Sequence, residues 1–213
     1  MEADLNEQAA YHRWYYDNGI YNRRYLGVPI TKFVTDLWNY QEILVDLRPG
    51  LVVEFGTQNG GSALYFAELM RTINPDGLVL TVDIVDGCPP IVKEHPLICF
   101  LLSDSVSPAV ATEIRSLREL HPGPVFAILD SDHYKAHVLA EMELLRDILV
   151  EGDYLVVEDG NINGHPVYPT WGPGPWEAIG EYRERYPDDY RRDRDTEVKF
   201  GFTAAPGGFL VRC

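Results

Sequence analysis

Acidic side chains follow two apolar segments of the sequence, each with the length and composition of a buried strand. Asp130 and Asp132 follow the first segment, and Glu158 and Asp159 follow the second. Neighbouring parallel strands lie about 4.8 Å apart and bring their carboxyl ends to one edge of a sheet. Carboxylates that meet there repel one another unless they are protonated or neutralised. Hard oxygen ligands suit Mg²⁺, with Mn²⁺ or Ca²⁺ as alternatives, so the sequence predicts a divalent-cation site; solvent-facing or helix-capping carboxylates are the alternative.

His133 stands directly after Asp132, and it is the residue beside this cluster whose chemistry suits proton transfer. The ordinary pKa of histidine, about 6.5, lies near neutrality, so we expect His133 to act as a general base. A surface histidine without a role is the alternative. His137 lies one helical turn further on, and we expect it to support the site or the fold. The residues leave open which of Asp130 and Asp132 binds the cation.

A glycine-rich turn follows the first predicted strand of the region after residue 50. Glycines at a strand-to-helix turn let a ligand approach the backbone closely. The spacing fits neither the dinucleotide pattern G-x-G-x-x-G nor a P-loop. The pattern E-x-G-x-x-x-G resembles motif I of S-adenosylmethionine (SAM) methyltransferases, although an ordinary tight turn is the alternative. The expected cofactor contacts in this turn are Glu54, Gly56, Thr57, Gly60, Gly61 and Ser62.

Polar residues at two further strand ends extend the predicted cofactor site. Asp83 ends the second strand, about 20 residues past the glycines, where a carboxylate accepts hydrogen bonds from ribose hydroxyls. Ser103 and Asp104 close the third strand, where methyltransferases commonly hold adenine. Helix capping is the alternative for these residues. Asp130 is expected to contact the cofactor as well as the cation.

Apolar strands that alternate with amphipathic helices must position these side chains. The predicted strands are 51–55, 78–83, 98–102, 125–129, 154–157, 198–203 and 208–212, and the predicted helices are 5–17, 37–47, 62–73, 109–120, 135–149 and 175–186. This order predicts a doubly wound, Rossmann-like α/β sheet whose last two strands form an antiparallel hairpin at its edge. That layout is typical of class I SAM methyltransferases. We expect residues 49–213 to form this domain and residues 1–48 to form a helical extension.

The extension and one long loop are rich in aromatic residues that are candidates for contact with a substrate. Tyr11, Trp14 and Tyr15 either cover the crevice as a lid, pack between subunits of a homo-oligomer, or fill space beneath the sheet. The loop from residue 160 to residue 176 follows the second acidic pair directly. His165, Tyr168 and Trp171 in this loop are expected to line the pocket of a small-molecule acceptor, since loops of this length are often functional.

Composition excludes several classes of partner. The 213 residues contain 18 Lys+Arg and 33 Asp+Glu, a formal net charge of -15, which disfavours nucleic acids and anionic membranes as partners. No apolar run approaches the roughly 18 residues of a membrane span, and the N-terminus lacks the layout of a secretory signal. The three cysteines, Cys88, Cys99 and Cys213, show no paired spacing, which indicates a reduced, cytoplasmic protein.

The spacing of the acidic residues resembles that of catechol O-methyltransferase. Glu158 and Asp159 lie 28 and 29 residues after Asp130, and His133 lies three residues after it. In that enzyme an Asp, a base three residues later and an adjacent acidic or amide pair form the Mg²⁺ site. The resemblance implies that Asp130 is a metal ligand and that His133 is the base. Asp132, which lies 26 residues before Glu158, remains the rival ligand.

A closer resemblance, to the cephalosporin hydroxylase family, covers nearly the whole chain. The matching motifs are Tyr11-His12-x-Trp14-Tyr15-Tyr16, Leu26-Gly27-Val28-Pro29, Asp36-Leu37-Trp38-x-Tyr40-Gln41-Glu42-Ile43, residues 54–64, Asp130-Ser131-Asp132-His133, His137-Val138, Val157-Glu158-Asp159, Asn161-x-Asn163-Gly164-His165-Pro166 and Pro206-Gly207-Gly208-Phe209-Leu210. This family, whose fold is that of a SAM methyltransferase, includes rhamnosyl and macrolide-sugar O-methyltransferases. The resemblance implies a Mg²⁺-dependent SAM O-methyltransferase that acts on a hydroxyl of a small natural product, with a sugar as one candidate, in secondary-metabolite or antibiotic biosynthesis.

Two other functions remain open at this point. The first is oxidative tailoring, such as hydroxylation with a partner protein, which some members of the family perform. The sequence offers no clear 2-His-1-carboxylate set for iron, since His133 and His137 with Asp130 or Asp132 would leave Glu158 unexplained. The second is a subunit that binds SAM without catalysis, which the complete set of carboxylates and base disfavours.

Overall fold

The computed structural model describes residues 5–213. Helices in this range are α1 (Leu5–Asn18), α2 (Val34–Leu47), α3 (Gly61–Ile73), α4 (Pro90–Lys93), α5 (Pro108–Leu120), α6 (Lys135–Arg146), α7 (Pro175–Arg185) and α8 (Arg194–Val198). Strands in this range are β1 (Arg24–Tyr25), β2 (Val28–Pro29), β3 (Leu51–Phe55), β4 (Leu78–Asp83), β5 (Ile98–Leu102), β6 (Val125–Leu129), β7 (Tyr154–Val157), β8 (Tyr190–Arg192) and β9 (Phe209–Arg212).

Seven of these strands form one sheet in the order β5-β4-β3-β6-β7-β9-β8. β3 to β7 are mutually parallel along this order, whereas β9 is antiparallel to both of its neighbours. The chain therefore winds outward from β3 in both directions, and the expected doubly wound α/β sheet with an antiparallel edge is confirmed. β1 and β2 form a separate antiparallel pair that the sequence patterns did not predict.

Helices cover both faces of the sheet, as alternation along the strands requires. Val53 and Phe55 of β3 belong to a core shared with α5, α6 and α7. Val52, on the other side of the same strand, belongs to a core shared with α2, α3 and α4. Both cores are closed by fully buried aliphatic and aromatic side chains, so each strand end is held rigidly where it meets the carboxyl edge of the sheet.

The prediction of strand 198–203 is wrong. β9 pairs instead with Tyr190–Arg192, and residues 194–198 form the short helix α8. Asp193 causes this change, because its carboxylate accepts hydrogen bonds from the Thr196 backbone N–H (3.3 Å) and from the Tyr154 hydroxyl (2.9 Å). Phe202 packs edge-on against Tyr11 and Phe33 rather than entering the sheet.

The N-terminal segment packs closely against the rest of the chain. Tyr40 and Leu44 of α2 are fully buried in the core that α3 shares with the sheet. Tyr16 of α1 packs with Phe33 and with Ile162 of the long loop. The division of the chain at residue 48 and the formation of a homo-oligomer stay predictions. Within residues 5–213, no helix combines the length and apolar character that a membrane span needs.

Candidate active site

The carboxyl ends of β3 to β7 open into one cavity of about 930 Å³. Each strand contributes a polar or glycine residue to the cavity wall: Gly56, Asp83, Ser103, Asp130 and Glu158. Parallel strands that share this polarity bring such residues together although they are far apart in the chain. The cavity is therefore formed where the sequence patterns expected a ligand crevice.

The glycine-rich turn forms one wall of this cavity. Gly56 has a positive φ of 96°, and a Cβ atom there would lie only 1.9 Å from the backbone oxygen of Asp130. Gly61 begins α3, and a Cβ atom on it would lie 2.2 Å from the backbone oxygen of Pro29. Thr57 and Ser62 line the cavity with these two glycines. The turn thus needs glycine at these two positions for close contact between backbones.

Two predicted cofactor contacts lie outside the cavity wall. Glu54 is fully buried, and its Oε2 accepts a hydrogen bond of 2.6 Å from the Thr81 hydroxyl. Burial raises the pKa of Glu54 to about 7, a change that the nearby Lys32 ammonium partly opposes. Gly60 packs against the side chain of Val92. Both residues shape the turn from behind.

The predicted nucleoside contacts do line the cavity. Asp83 is held by two backbone N–H groups, Gln58 N to Oδ2 (2.8 Å) and Val85 N to Oδ1 (2.9 Å). Each carboxylate oxygen retains lone pairs for a further donor. Ser103 and Asp104 line the cavity and also belong to the turn before α5, since Asp104 Oδ1 accepts from Val106 N at 3.1 Å. The capping role and the cofactor role are therefore compatible at these residues.

Three side chains converge at the ends of β6 and β7. One ligand atom from each of Asp130, His133 and Asp159 lies within 4.8 Å of the others. Asp159 follows β7 directly with a positive φ of 53°, a conformation that non-glycine residues seldom adopt and that is often found at functional sites. Asp132 is exposed and outside this group, and its Oδ1 accepts from Tyr134 N at 3.0 Å. The geometry favours Asp130 over Asp132 as a ligand.

A buried lysine that sequence reasoning missed also enters the acidic cluster. Lys32, on the loop between β2 and α2, is 2% exposed. Its Nζ contacts Asp130 Oδ2 and lies 2.9 Å from Glu158 Oε2. The Tyr40 hydroxyl donates a hydrogen bond of 2.5 Å to the other oxygen of Glu158. Glu158 is therefore engaged on both oxygens, and the one available signal, a lone lysine between Ile30 and Phe33, does not reveal this contact.

The titration of these groups follows from burial and mutual repulsion. Burial raises the pKa of Glu158 to about 7 even though the Lys32 ammonium opposes the shift. Burial disfavours the charged form of His133, but the carboxylates of Asp159 and Asp130 outweigh it and raise the pKa of this histidine. His133 Nδ1 lies 3.3 Å from Asp159 Oδ2. The cluster therefore holds excess negative charge that attracts protons or cations.

His137 contacts neighbouring side chains at the edge of the cavity. Its Nε2 lies 3.0 Å from the Ser105 hydroxyl and 3.2 Å from Glu141 Oε1. A hydrogen bond to Glu141 raises the pKa of His137. Glu141 is completely buried. The contact of His137 with Ser105 joins α6 to the loop after β5. This arrangement agrees with the supporting role that we expected for His137.

The aromatic residues predicted to touch a substrate separate into two groups. Trp171 lines the cavity and stacks between Tyr134 and Tyr168, with ring centroids 5.7 Å and 6.1 Å apart. Its ring centroid lies 6.3 Å from that of His133. Tyr16, which was not predicted, also lines the cavity. Tyr134, Trp171 and Tyr168 thus form a row of stacked rings beside His133, and Tyr134 and Tyr168 are exposed to solvent.

The other predicted substrate contacts lie away from the cavity wall. Tyr11 and Trp14 are more than half exposed and stack on each other. Tyr15 packs edge-on against Phe33 at 4.8 Å. His165 stacks on Trp176 and borders a second cavity of about 340 Å³. These residues contact the N-terminal helix or the long loop, and their contact with a substrate stays a prediction.

Comparison with known proteins identifies relatives over nearly the whole chain. The sequence profile of the family described as Rhamnosyl O-methyltransferase/CmcI matches residues 17–213. The Rhamnosyl O-methyltransferase of Mycobacterium tuberculosis is 54% identical over 204 residues, which is 95% of this chain and 83% of that protein. The protein of the same name from Mycobacterium leprae (strain TN) is 52% identical over 203 residues, 95% of this chain and 89% of that protein.

A solved structure shares the fold at lower identity. The Mg-SAM complex of CmcI has a TM-score of 0.68 and 23% identity, and the alignment covers 92% of this chain and 78% of that chain. Identity at this level supports the common fold alone, whereas the profile match and the relatives above 50% identity establish the family. The chain therefore belongs to the Rhamnosyl O-methyltransferase/CmcI family of SAM-dependent O-methyltransferases.

Proposed function

We propose that the protein transfers the methyl group of SAM to a hydroxyl of a small molecule, with a sugar as the acceptor, in a reaction that requires Mg²⁺. The observation that carries this proposal is the position of His133 beside Asp130 and Asp159, in the same cavity as the glycine-rich turn. Relatives that are 54% identical are named rhamnosyl O-methyltransferases, which supports a sugar hydroxyl as the acceptor.

The cofactor would lie along the ends of β3, β4 and β5. The turn from Gly56 to Ser62 lines the cavity where the methionine portion of SAM would lie, and Asp83 offers carboxylate oxygens to the ribose hydroxyls. Ser103 and Asp104 line the cavity where the adenine would follow. This direction would bring the reactive methyl group toward the ends of β6 and β7, where the acidic cluster lies.

The donor set of the acidic cluster fits a divalent cation. Asp130 and Asp159 supply hard carboxylate oxygens, and the ligand atoms of the cluster, together with His133, lie within 4.8 Å of one another. Glu158 is a third carboxylate in the same cavity wall. When bound, SAM supplies an electrophilic methyl group, and a divalent cation polarises a hydroxyl oxygen and lowers its pKa.

The chain's own residues would position the acceptor and take its proton. His133 Nδ1 lies 3.3 Å from Asp159 Oδ2, and this proximity would orient the ring and leave Nε2 to accept the proton of the acceptor hydroxyl. Trp171 would pack against the apolar face of a sugar ring and hold it beside His133. Orientation of the two reactants would supply most of the acceleration.

Replacement of His133 tests the proposed base. We expect His133→Ala to bind SAM within about threefold of the wild type, because the ring lies on the acceptor side, but to lose at least about 10²-fold in kcat. Calorimetry measures the first quantity, and mass spectrometry of a methylated rhamnoside measures the second. His121→Ala, at an exposed loop on the opposite edge of the sheet, is the matched control. An unchanged kcat in His133→Ala would remove the base assignment.

The alternative functions have less support. The described residues contain one group with the geometry of a metal site, and it includes a single histidine, so a 2-His-1-carboxylate iron site is not formed there. His137 is already engaged by Ser105 and Glu141. A subunit without catalysis would bind SAM but transfer no methyl group to any acceptor, and the same mass spectrometry would detect this result. The role in antibiotic biosynthesis and the cytoplasmic location stay predictions.

A further inference from the structure

Lys32 lies where a cation that bridges Asp130 and Glu158 would lie. Its Nζ contacts Asp130 Oδ2 and is 2.9 Å from Glu158 Oε2. Among the described residues, no other lysine or arginine forms an ion pair with these two carboxylates. A side chain that is 2% exposed keeps this ammonium away from solvent. The ammonium therefore neutralises part of the cluster by itself.

The backbone of Lys32 is fixed from the N-terminal segment. The Arg23 guanidinium donates one hydrogen bond to the Lys32 carbonyl and another to the carbonyl of Gly19. The same guanidinium lies over the ring of Tyr15, 4.7 Å from its centroid. The ammonium can therefore move by rotation of the lysine side chain while these backbone contacts are kept.

Both oxygens of Glu158 already accept from a side chain while Lys32 holds it. The Tyr40 hydroxyl donates to Oε1 at 2.5 Å, and Lys32 contacts Oε2. Asp130 likewise shares Oδ2 with Lys32. A divalent ion bound to Asp130 or Glu158 would lie close to the Lys32 ammonium, and two cations so close would repel each other strongly. Metal binding and the Lys32 contacts are therefore in competition.

We propose that Lys32 is a tethered competitor of the divalent cation: its ammonium neutralises Asp130 and Glu158 when no ion is bound, and it leaves at least one of them when an ion binds. This inference rests on the proposed function only in that a divalent ion binds at this cluster. It adds that Lys32 keeps the protein folded without the ion and weakens the affinity for it. The tether makes exchange of the ion possible without collapse of the acidic cluster.

Binding of Mn²⁺ in the absence of SAM tests this exchange. We expect Lys32→Met to bind Mn²⁺ at least about tenfold more tightly than the wild type in electron paramagnetic resonance titrations, because a competing positive charge is removed. Without Mn²⁺ this variant should melt at a lower temperature than the wild type, and saturating Mn²⁺ should raise its Tm by more. Lys32→Arg, which keeps the charge, should bind Mn²⁺ as weakly as the wild type. Lys93→Met, at an exposed lysine paired with Asp86, is the matched control.

Equal or weaker binding of Mn²⁺ by Lys32→Met would overturn the inference, since a lysine that only orients the ligands would lower affinity when removed. If this variant does not fold, the crystal structure of the wild type soaked in Mn²⁺ provides the test. We expect Lys32 Nζ to have lost its contact with Asp130 or with Glu158 in that structure. An Nζ atom that still contacts both carboxylates beside bound Mn²⁺ contradicts the inference. Failure of the wild type and Lys32→Met to bind Mn²⁺ overturns it together with the metal requirement, whereas methyl transfer in EDTA would show that the transferase function itself stands.

Discussion

Asp130 and Asp132 both line the cavity, and they differ in the neighbours of their carboxylates, which residue spacing does not encode. Asp130 is largely buried and joins His133 and Asp159 around one point. Asp132 is exposed, and its carboxylate accepts a hydrogen bond from the backbone of Tyr134 at the start of α6. The sequence therefore predicted the cluster but left its members open.

Exchange of each aspartate for asparagine separates the two candidates. We expect Asp130→Asn to weaken Mn²⁺ binding at least about tenfold, because the cluster loses a charged oxygen ligand. Asp132→Asn is the internal control and should stay within about twofold, since an asparagine oxygen can still accept from Tyr134 N. Titration with Mn²⁺ measures both affinities. A larger loss in Asp132→Asn than in Asp130→Asn would reverse the assignment.

Lys32 shows why a single residue can escape prediction. It lies 98 positions before Asp130 and 126 positions before Glu158, and it belongs to a loop rather than to a predicted strand or helix. Contacts over such distances depend on how β1, β2 and α2 pack against the sheet. Local patterns of hydrophobicity carry no information about this packing, so the neutralising partner of the carboxylates stayed hidden.

Elements were predictable where one physical signal determined them. The five parallel strands were predicted with the bounds that the structure shows, because each is a continuous apolar run that ends at turn residues. The edge strand was not predicted, because Tyr190–Arg192 is short and contains two arginines. Strands at solvent-exposed edges are often short and charged. Of the apolar residues in 198–203, Phe202 instead packs against Tyr11 and Tyr15 of α1, whereas Val198 and Phe200 are exposed.

The start of α2 contains a carboxyl group that makes stability depend on pH. Asp36 is 1% exposed; its Oδ2 accepts from Ala204 N at 2.8 Å, and its Oδ1 has no partner among the described residues. Burial raises the pKa of Asp36 to about 7. A carboxyl with a raised pKa in the folded state contributes stability that is complete below about pH 4 and is lost as pH rises through about 7.

Replacement of Asp36 should remove this dependence. We expect Asp36→Asn to raise the free energy of unfolding by roughly 1–3 kcal/mol at pH 8, where the wild-type carboxyl is charged, and by little at pH 4. Urea unfolding at both pH values measures the difference. Asp46→Asn, on the exposed face of the same helix, is the control and should leave the pH profile unchanged. Equal effects of Asp36→Asn at both pH values would show that the carboxyl does not titrate in this range.

At the scale of the whole molecule, residues from both sides of the expected boundary at residue 48 form the site. Tyr16, Lys32 and Phe33 line the same cavity as the ends of the parallel strands. The N-terminal segment supplies the ammonium and the tyrosine that hold Glu158, while the sheet supplies the carboxylates. The site therefore contains residues from both of the predicted segments.

Removal of divalent ions should affect chemistry without unfolding the protein. After treatment with EDTA we expect methyl transfer to be lost and then restored by Mg²⁺, because the acceptor hydroxyl is poorly acidic on its own. Circular dichroism spectra should not change, because Lys32 still neutralises Asp130 and Glu158. Product formation and far-ultraviolet spectra on the same sample measure the two effects. Full turnover after exhaustive chelation would exclude the metal role.

The close approach of Gly56 to Asp130 makes two parts of the site mechanically continuous. The backbone of the cofactor turn lies directly on the carbonyl of a residue whose side chain belongs to the acidic cluster, with no room even for a methyl group between them. A larger residue at position 56 would therefore have to displace the backbone of Asp130, whose carboxylate belongs to the acidic cluster. On the proposed function, this one glycine couples the turn expected to hold the cofactor to the cluster expected to hold the cation.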